Sequence, residues 1–135
     1  MKPVLYKNTV IQANGIDGIT SYDQDSGRVI WHLSIENDAE PSATLINDRL
    51  FFGASHGQFY AINAKTGATI WTFPMRIETL SEPLLADGVL YILTGNNSLY
   101  ALDAESGKQL WLYSRQDTST LSIRGGSNRD VLDAI

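Results

Sequence analysis

His32 and His56 are the only imidazoles among 135 residues, and the chain has no cysteine. Acid–base or metal chemistry would therefore rest on one of these two rings and a neighbouring nucleophile or carboxylate. His32 follows a tryptophan and His56 precedes a glycine. No serine lies in a nucleophile-elbow pattern that either ring could serve. Asp23-Gln24-Asp25-Ser26-Gly27 spaces two carboxylates as the front of a calcium loop does. Calcium takes about 6–8 oxygen ligands, and the later positions that would complete such a loop are missing. The matching segment Asn63-Ala64-Lys65-Thr66-Gly67 sets a lysine where a carboxylate would help. Both segments read as hairpin turns. Without cysteine there is no disulfide, thiolate nucleophile, thiolate zinc site or lipid attachment point. These residues point away from an enzyme and imply no metal or cofactor.

Ten Lys and Arg against fifteen Asp and Glu leave a net charge of −5, and the pI is near 4.8. That balance lacks the cationic footprint needed for nucleic acid or an anionic lipid surface. The longest uncharged stretch, Gly88 to Leu102, contains Gly95, Asn96, Asn97 and Ser98. It falls short of the ~20 apolar residues of a membrane span. At the N-terminus Lys7 interrupts the run Val4-Leu5-Tyr6, so no secretory signal is read there.

The elements that position these residues follow from a repeat. Trp31, Trp71 and Trp111 are forty residues apart, and Gly27, Gly67 and Gly107 precede them by four. The aligned segments are SYDQDSGRVIW, AINAKTGATIW and ALDAESGKQLW. Each unit holds four strand candidates; in the third they are Pro83 to Ala86, Val89 to Thr94, Ser98 to Asp103 and Gln109 to Ser114. Asp87-Gly88 is a type I′ hairpin signal, and Asn8 and Asn47-Asp48 occupy the matching turns as residues that tolerate positive φ. The repeated Asp/Asn-x-x-Ser/Thr-Gly closes the last hairpin by an Asx bond and a left-handed glycine. Aromatic residues such as Phe51, Phe59 and Tyr100 lie on strands and read as packing.

Four antiparallel strands at a period of about forty predict an all-β chain, a partial β-propeller of three four-stranded blades. The blades span 3–35, 43–75 and 83–115 within a repeat region of 1–116. Residues 117–135 are expected to form an inter-blade loop and C-terminal tail. The three tryptophans and three glycines are the expected docking residues between blades. Closed propellers use about 4–8 blades, so three cannot make a ring. The expectation is part of a larger propeller, or self-association through open blade faces.

The pattern Ala-x-Asp-x-x-x-Gly-x-x-x-Trp, complete at Ala101, Asp103, Gly107 and Trp111, resembles the pyrroloquinoline-quinone-type propeller repeat. Blade two departs from it at Asn63 and blade one at Ser21. The stretch from Glu78 to Gly126, with its LSEP opening and LSIRG element, resembles the BamB family. That resemblance implies an eight-bladed, non-catalytic scaffold on the periplasmic side of the outer membrane. It also implies a role in β-barrel protein assembly through contact with a POTRA domain of BamA. By position, Leu121, Ile123 and Arg124 would contribute to that contact. The alternative for the LSIRG element is an inter-blade connection whose Leu and Ile enter the next blade. For the whole chain, the alternative is a fragment of a quinoprotein dehydrogenase, a family that binds the quinone with calcium and has an adjacent cysteine pair, absent here.

Overall fold

The computed structural model describes residues 3–13, 18–35, 43–54, 57–77, 79 and 82–114, and the backbone of 115 and 121–125. Blade one consists of β1 (Val4–Tyr6), β2 (Thr9–Ala13), β3 (Ile19–Asp23) and β4 (Val29–Leu33). Blade two repeats it as β5 (Thr44–Ile46), β6 (Arg49–Gly53), β7 (Gln58–Asn63) and β8 (Thr69–Pro74). Blade three holds β9 (Leu84–Ala86), β10 (Val89–Leu93), β11 (Ser98–Asp103) and β12 (Gln109–Arg115). Each is an antiparallel meander with strands in chain order. The chain is thus the all-β partial propeller that its period predicts. Among the described residues no helix is long and apolar enough to cross a membrane.

Turn chemistry sets the register of each sheet. Asp87 and Gly88 take φ of 52° and 78°, the paired positive values of a type I′ hairpin. In the first turn the left-handed residue is Lys7, at φ 51°, and not Asn8. A two-residue hairpin demands positive φ at its first central position, so register selects Lys7 whatever its side chain prefers. The third turn is the same in all three blades. Gly27, Gly67 and Gly107 sit at φ near 76° and donate back to the carbonyls of Asp23, Asn63 and Asp103 at 2.7–2.9 Å. Just beyond it a bulge shifts the pairing at Ser21/Tyr22, Ala61/Ile62 and Ala101/Leu102.

Alternation along the strands gives every blade two faces. The leading face of blade one presents Ile11, Ile19 and Trp31 to Leu50, Phe52 and Ile62 on the receiving face of blade two. One unit on, Phe51, Phe59 and Trp71 meet Leu90, Ile92 and Leu102 of blade three. Neighbours such as Phe51 and Phe52 therefore belong to different cores. Blade two is apolar on both sides because it is covered on both.

Ser21 breaks the pattern. It is fully buried where blades two and three carry Ala61 and Ala101, and its hydroxyl has no hydrogen-bond partner. An unsatisfied buried polar group costs about 1–3 kcal/mol. Ser21→Ala should therefore stabilise the chain by about 1 kcal/mol, read as a higher urea midpoint at unchanged slope. A lower midpoint would mean that the hydroxyl is bonded in solution.

Candidate protein-binding site

The junctions between blades position every other surface of the chain. The Trp31 indole donates from Nε1 to the carbonyl of Ala64 at 3.0 Å, and Trp71 donates to Ala104 at 2.9 Å. Each ring lies over the turn glycine of the next blade. A Cβ on Gly67 would stand 2.5 Å from Cδ2 and Cε3 of Trp31, and Gly107 faces Trp71 in the same way. Gly27 has nothing within 4 Å of that position. Trp111 packs beside Tyr91, with ring centroids 5.9 Å apart, and is only 8% exposed.

Two polar straps reinforce these contacts, and the forty-residue pattern contains no sign of them. Tyr6 donates its hydroxyl to Oδ1 of Asp48 across the first blade junction at 2.8 Å. That bond, with burial second, raises the phenol above its ordinary pKa, so the donor persists past the usual range. Across the second junction Arg49 reaches the carbonyl of Ala104 and Oε2 of Glu105, each at 3.1 Å. Ala104 thus accepts from both the Trp71 indole and a guanidinium, using both lone pairs. The Arg49–Glu105 ion pair is itself solvent-exposed on the glutamate side and contributes little. Beside it lies a groove of about 240 Å³, lined by Asp48, Arg49, Leu85 and Glu105 among others. Residues 46 and 86 differ from Tyr6, and 9 and 89 differ from Arg49, so repeat alignment hides both straps.

The residues that could do chemistry are spread apart. His32 shares a 2.7 Å hydrogen bond between its Nδ1 and the Thr20 hydroxyl, which pairs two neighbouring strands. His56 lies outside the described residues. Asp23 accepts from the backbone N–H and the hydroxyl of Ser26 through Oδ2, at 2.9 and 2.8 Å. Those bonds, the hydroxyl's first, hold its carboxyl below the usual carboxylate range. The carboxylate is engaged in its own turn, as Asn63 and Asp103 are in theirs. Among the described residues no group of three or more His, Asp or Glu could hold a metal ion.

The LSIRG element is a strand. Within the segment read as loop and tail, β13 (Leu121–Gly125) pairs antiparallel with β12, Tyr113 opposite Ile123 and Leu112 opposite Arg124. It becomes the fifth and outermost strand of the third sheet, which runs β13-β12-β11-β10-β9. Leu121 and Ile123 occupy one set of alternate positions and Ser122 and Arg124 the other. The side chains of 121–125 lie outside the described residues, so the backbone alone locates this candidate contact.

Comparison with known proteins fits this architecture. A family profile described as outer membrane protein assembly factor BamB matches residues 17–133. Among solved structures, BamB from Moraxella catarrhalis is similar at a TM-score of 0.71 and 20% identity, over 85% of this chain and 35% of that one. The quinohemoprotein alcohol dehydrogenase ADHIIG from Pseudomonas putida HK5 gives 0.68 and 21%, over 83% of this chain and 20% of the enzyme. The computationally designed Ika8 protein gives 0.68 and 10%, over 92% and 45%. At such identities these structures share the fold, and this chain spans only about a third of the Moraxella protein's length. No curated protein matches it. The family profile covers most of the chain, including the LSIRG strand outside the repeat. The chain belongs to the family of the outer membrane protein assembly factor BamB.

Proposed function

We propose that the chain is a non-catalytic, protein-binding part of a BamB-type scaffold. In this reading it supports outer-membrane β-barrel assembly by contacting a POTRA domain of BamA on the periplasmic side. The observation that carries it is the LSIRG segment, which lies within the matched family span and forms an outermost strand. A terminal strand offers a row of backbone donors and acceptors that a partner can approach. Leu121 and Ile123 add two apolar positions, and Arg124 adds a cation suited to an acidic neighbour. Bonding of Asp23 within its own turn and of His32 to Thr20 supports a binding role over a catalytic one.

Binding to a POTRA-containing partner, measured by calorimetry, tests the assignment. Leu121→Ala, Ile123→Ala and Arg124→Glu should each weaken it about tenfold, equivalent to about 1.4 kcal/mol. Lys65→Ala, on a turn of blade two, should leave it unchanged. Unaltered affinity in all three would remove the site. The similarity to quinohemoprotein dehydrogenases motivates a second reading, a fragment of a quinoprotein dehydrogenase. Dye reduction and thermal stabilisation on adding the quinone with calcium would favour that reading instead.

A further inference from the structure

The two junctions between blades are built alike, yet the space beside their first turns is filled at one and open at the other. Tyr6 and Ile46 hold the same place, each ending the first strand of its blade, opposite Thr9 and Arg49. At the first junction the Tyr6 ring is 6% exposed, within the core that also holds Ile11, Leu45 and Ala64. Its hydroxyl donates to Asp48 in the first turn of the next blade. Forty residues on, Ile46 stands for the ring and Gly88 for Asp48. Phe51 is larger than Ile11, but it is packed against Trp71 with centroids 6.1 Å apart. Between these two complete blades remains the groove of about 240 Å³, with Leu85 and Ala104 at the places of Leu45 and Ala64.

We propose that this groove binds a tyrosine side chain of a partner polypeptide, in the place that Tyr6 fills at the first junction. The room is sufficient, since a cavity of about 150 Å³ already takes a benzene ring. Its lining is apolar within, where Phe51 is buried and Ile46 and Leu85 are half-buried. Its mouth is acidic, because Asp48 and Glu105 are exposed. A phenol suits that arrangement, with an apolar body and a hydroxyl that donates to a carboxylate, as Tyr6 already does. Arg49 is tied to the Ala104 carbonyl and to Glu105, so it forms a wall and does not fill the space. A guanidinium beside a ring adds cation–π attraction. A Cβ on Gly88 would meet nothing within 4 Å, which leaves free the side on which Asp48 stands at the first junction.

Other side chains fit less well. A carboxylate would meet Asp48 and Glu105, a lysine would meet the Arg49 guanidinium, and a phenylalanine brings no donor to the mouth. One side chain makes a weak contact alone. Carried on a partner already held elsewhere, it gains from effective concentration and acts as a second anchor.

N-acetyl-tyrosinamide titrated into the 135-residue chain, followed by amide NMR shifts, tests this. Shifts at Leu85, Gly88 and Glu105 should saturate with a midpoint of about 1 mM. N-acetyl-phenylalaninamide should need about tenfold more, for want of the hydroxyl's bond. Ile46→Tyr supplies the ring from within, so it should abolish the shifts and raise the urea midpoint. Gly88→Asp adds the acceptor that the first junction has, at a residue type that tolerates the left-handed region. It should lower the tyrosinamide midpoint severalfold and leave the phenylalaninamide midpoint unmoved. Absence of saturation at the groove overturns the proposal, as do equal shifts around the exposed Leu5 and Leu93, which would mark unspecific adhesion. An Ile46→Tyr chain that is unfolded or less stable also overturns it, because no ring then fits there. POTRA binding is read separately, so failure here leaves the reading of the LSIRG strand untouched.

Discussion

Replacing Gly67 or Gly107 with alanine should destabilise the chain by about 3 kcal/mol or more, while the same change at Gly27 should cost about 1 kcal/mol. All three glycines hold nearly the same left-handed conformation, with φ of 75°, 77° and 76°. The backbone penalty of a Cβ at positive φ, about 1–2 kcal/mol, is therefore common to them, offset in part by the stiffer unfolded chain. What differs is the neighbour. At Gly67 and Gly107 the new methyl would enter the ring of Trp31 or Trp71, whereas at Gly27 it meets open space. The rings cannot withdraw without losing their bonds to Ala64 and Ala104. Overpacking of this kind adds about 1–3 kcal/mol. Urea unfolding followed by tryptophan fluorescence gives the three midpoints directly. Equal losses at the three sites would show that the glycines serve the turn alone and that no seat exists.

Trp71→Ala should cost about 3–5 kcal/mol and also divide the unfolding transition. The indole is buried against Phe51 and Phe59, at centroid distances of 6.1 and 6.2 Å, and it bridges to blade three through Ala104. Removing it leaves a cavity at the centre of the second junction, with Arg49 as the remaining side-chain link to Ala104. In an array whose units touch only their neighbours, cooperativity passes through each junction in turn. Weakening this one should release blade three before blades one and two. Trp31 and Trp111 remain as fluorophores on either side of the break, so two separated transitions would be visible in one experiment. A single transition with a small loss would mean that the straps, and not the indoles, join the blades.

How much of this was legible in advance depends on whether a feature repeats. Trp31, Trp71 and Trp111 announce themselves by spacing, and their glycines and Asx turns follow. Each turn demands particular residues for local reasons, a left-handed glycine or a short side chain that caps its own backbone. Strand order, blade count and the alternation of core positions come with them. Asn8 shows the limit of residue preference, because hairpin register hands the left-handed position to Lys7 instead.

The unrepeated features were decided by tertiary structure. The Tyr6–Asp48 and Arg49–Glu105 links join residues 42 and 56 positions apart. No alignment of units relates them, because pairing across blades depends on which loops the packing brings together. The alternation in Leu121–Gly125 is visible in the sequence, but not that the segment adds to β12. Any alternating segment can pair with any free edge, and only the completed third sheet offers this one. The sequence by itself therefore determined the blades, since each is a set of local hairpins stabilised by turn chemistry and periodic apolar positions. Tertiary structure alone decided what fastens one blade to the next and where the fifth strand of the third sheet lies. Those depend on long-range contacts between single residues, which carry no period to read.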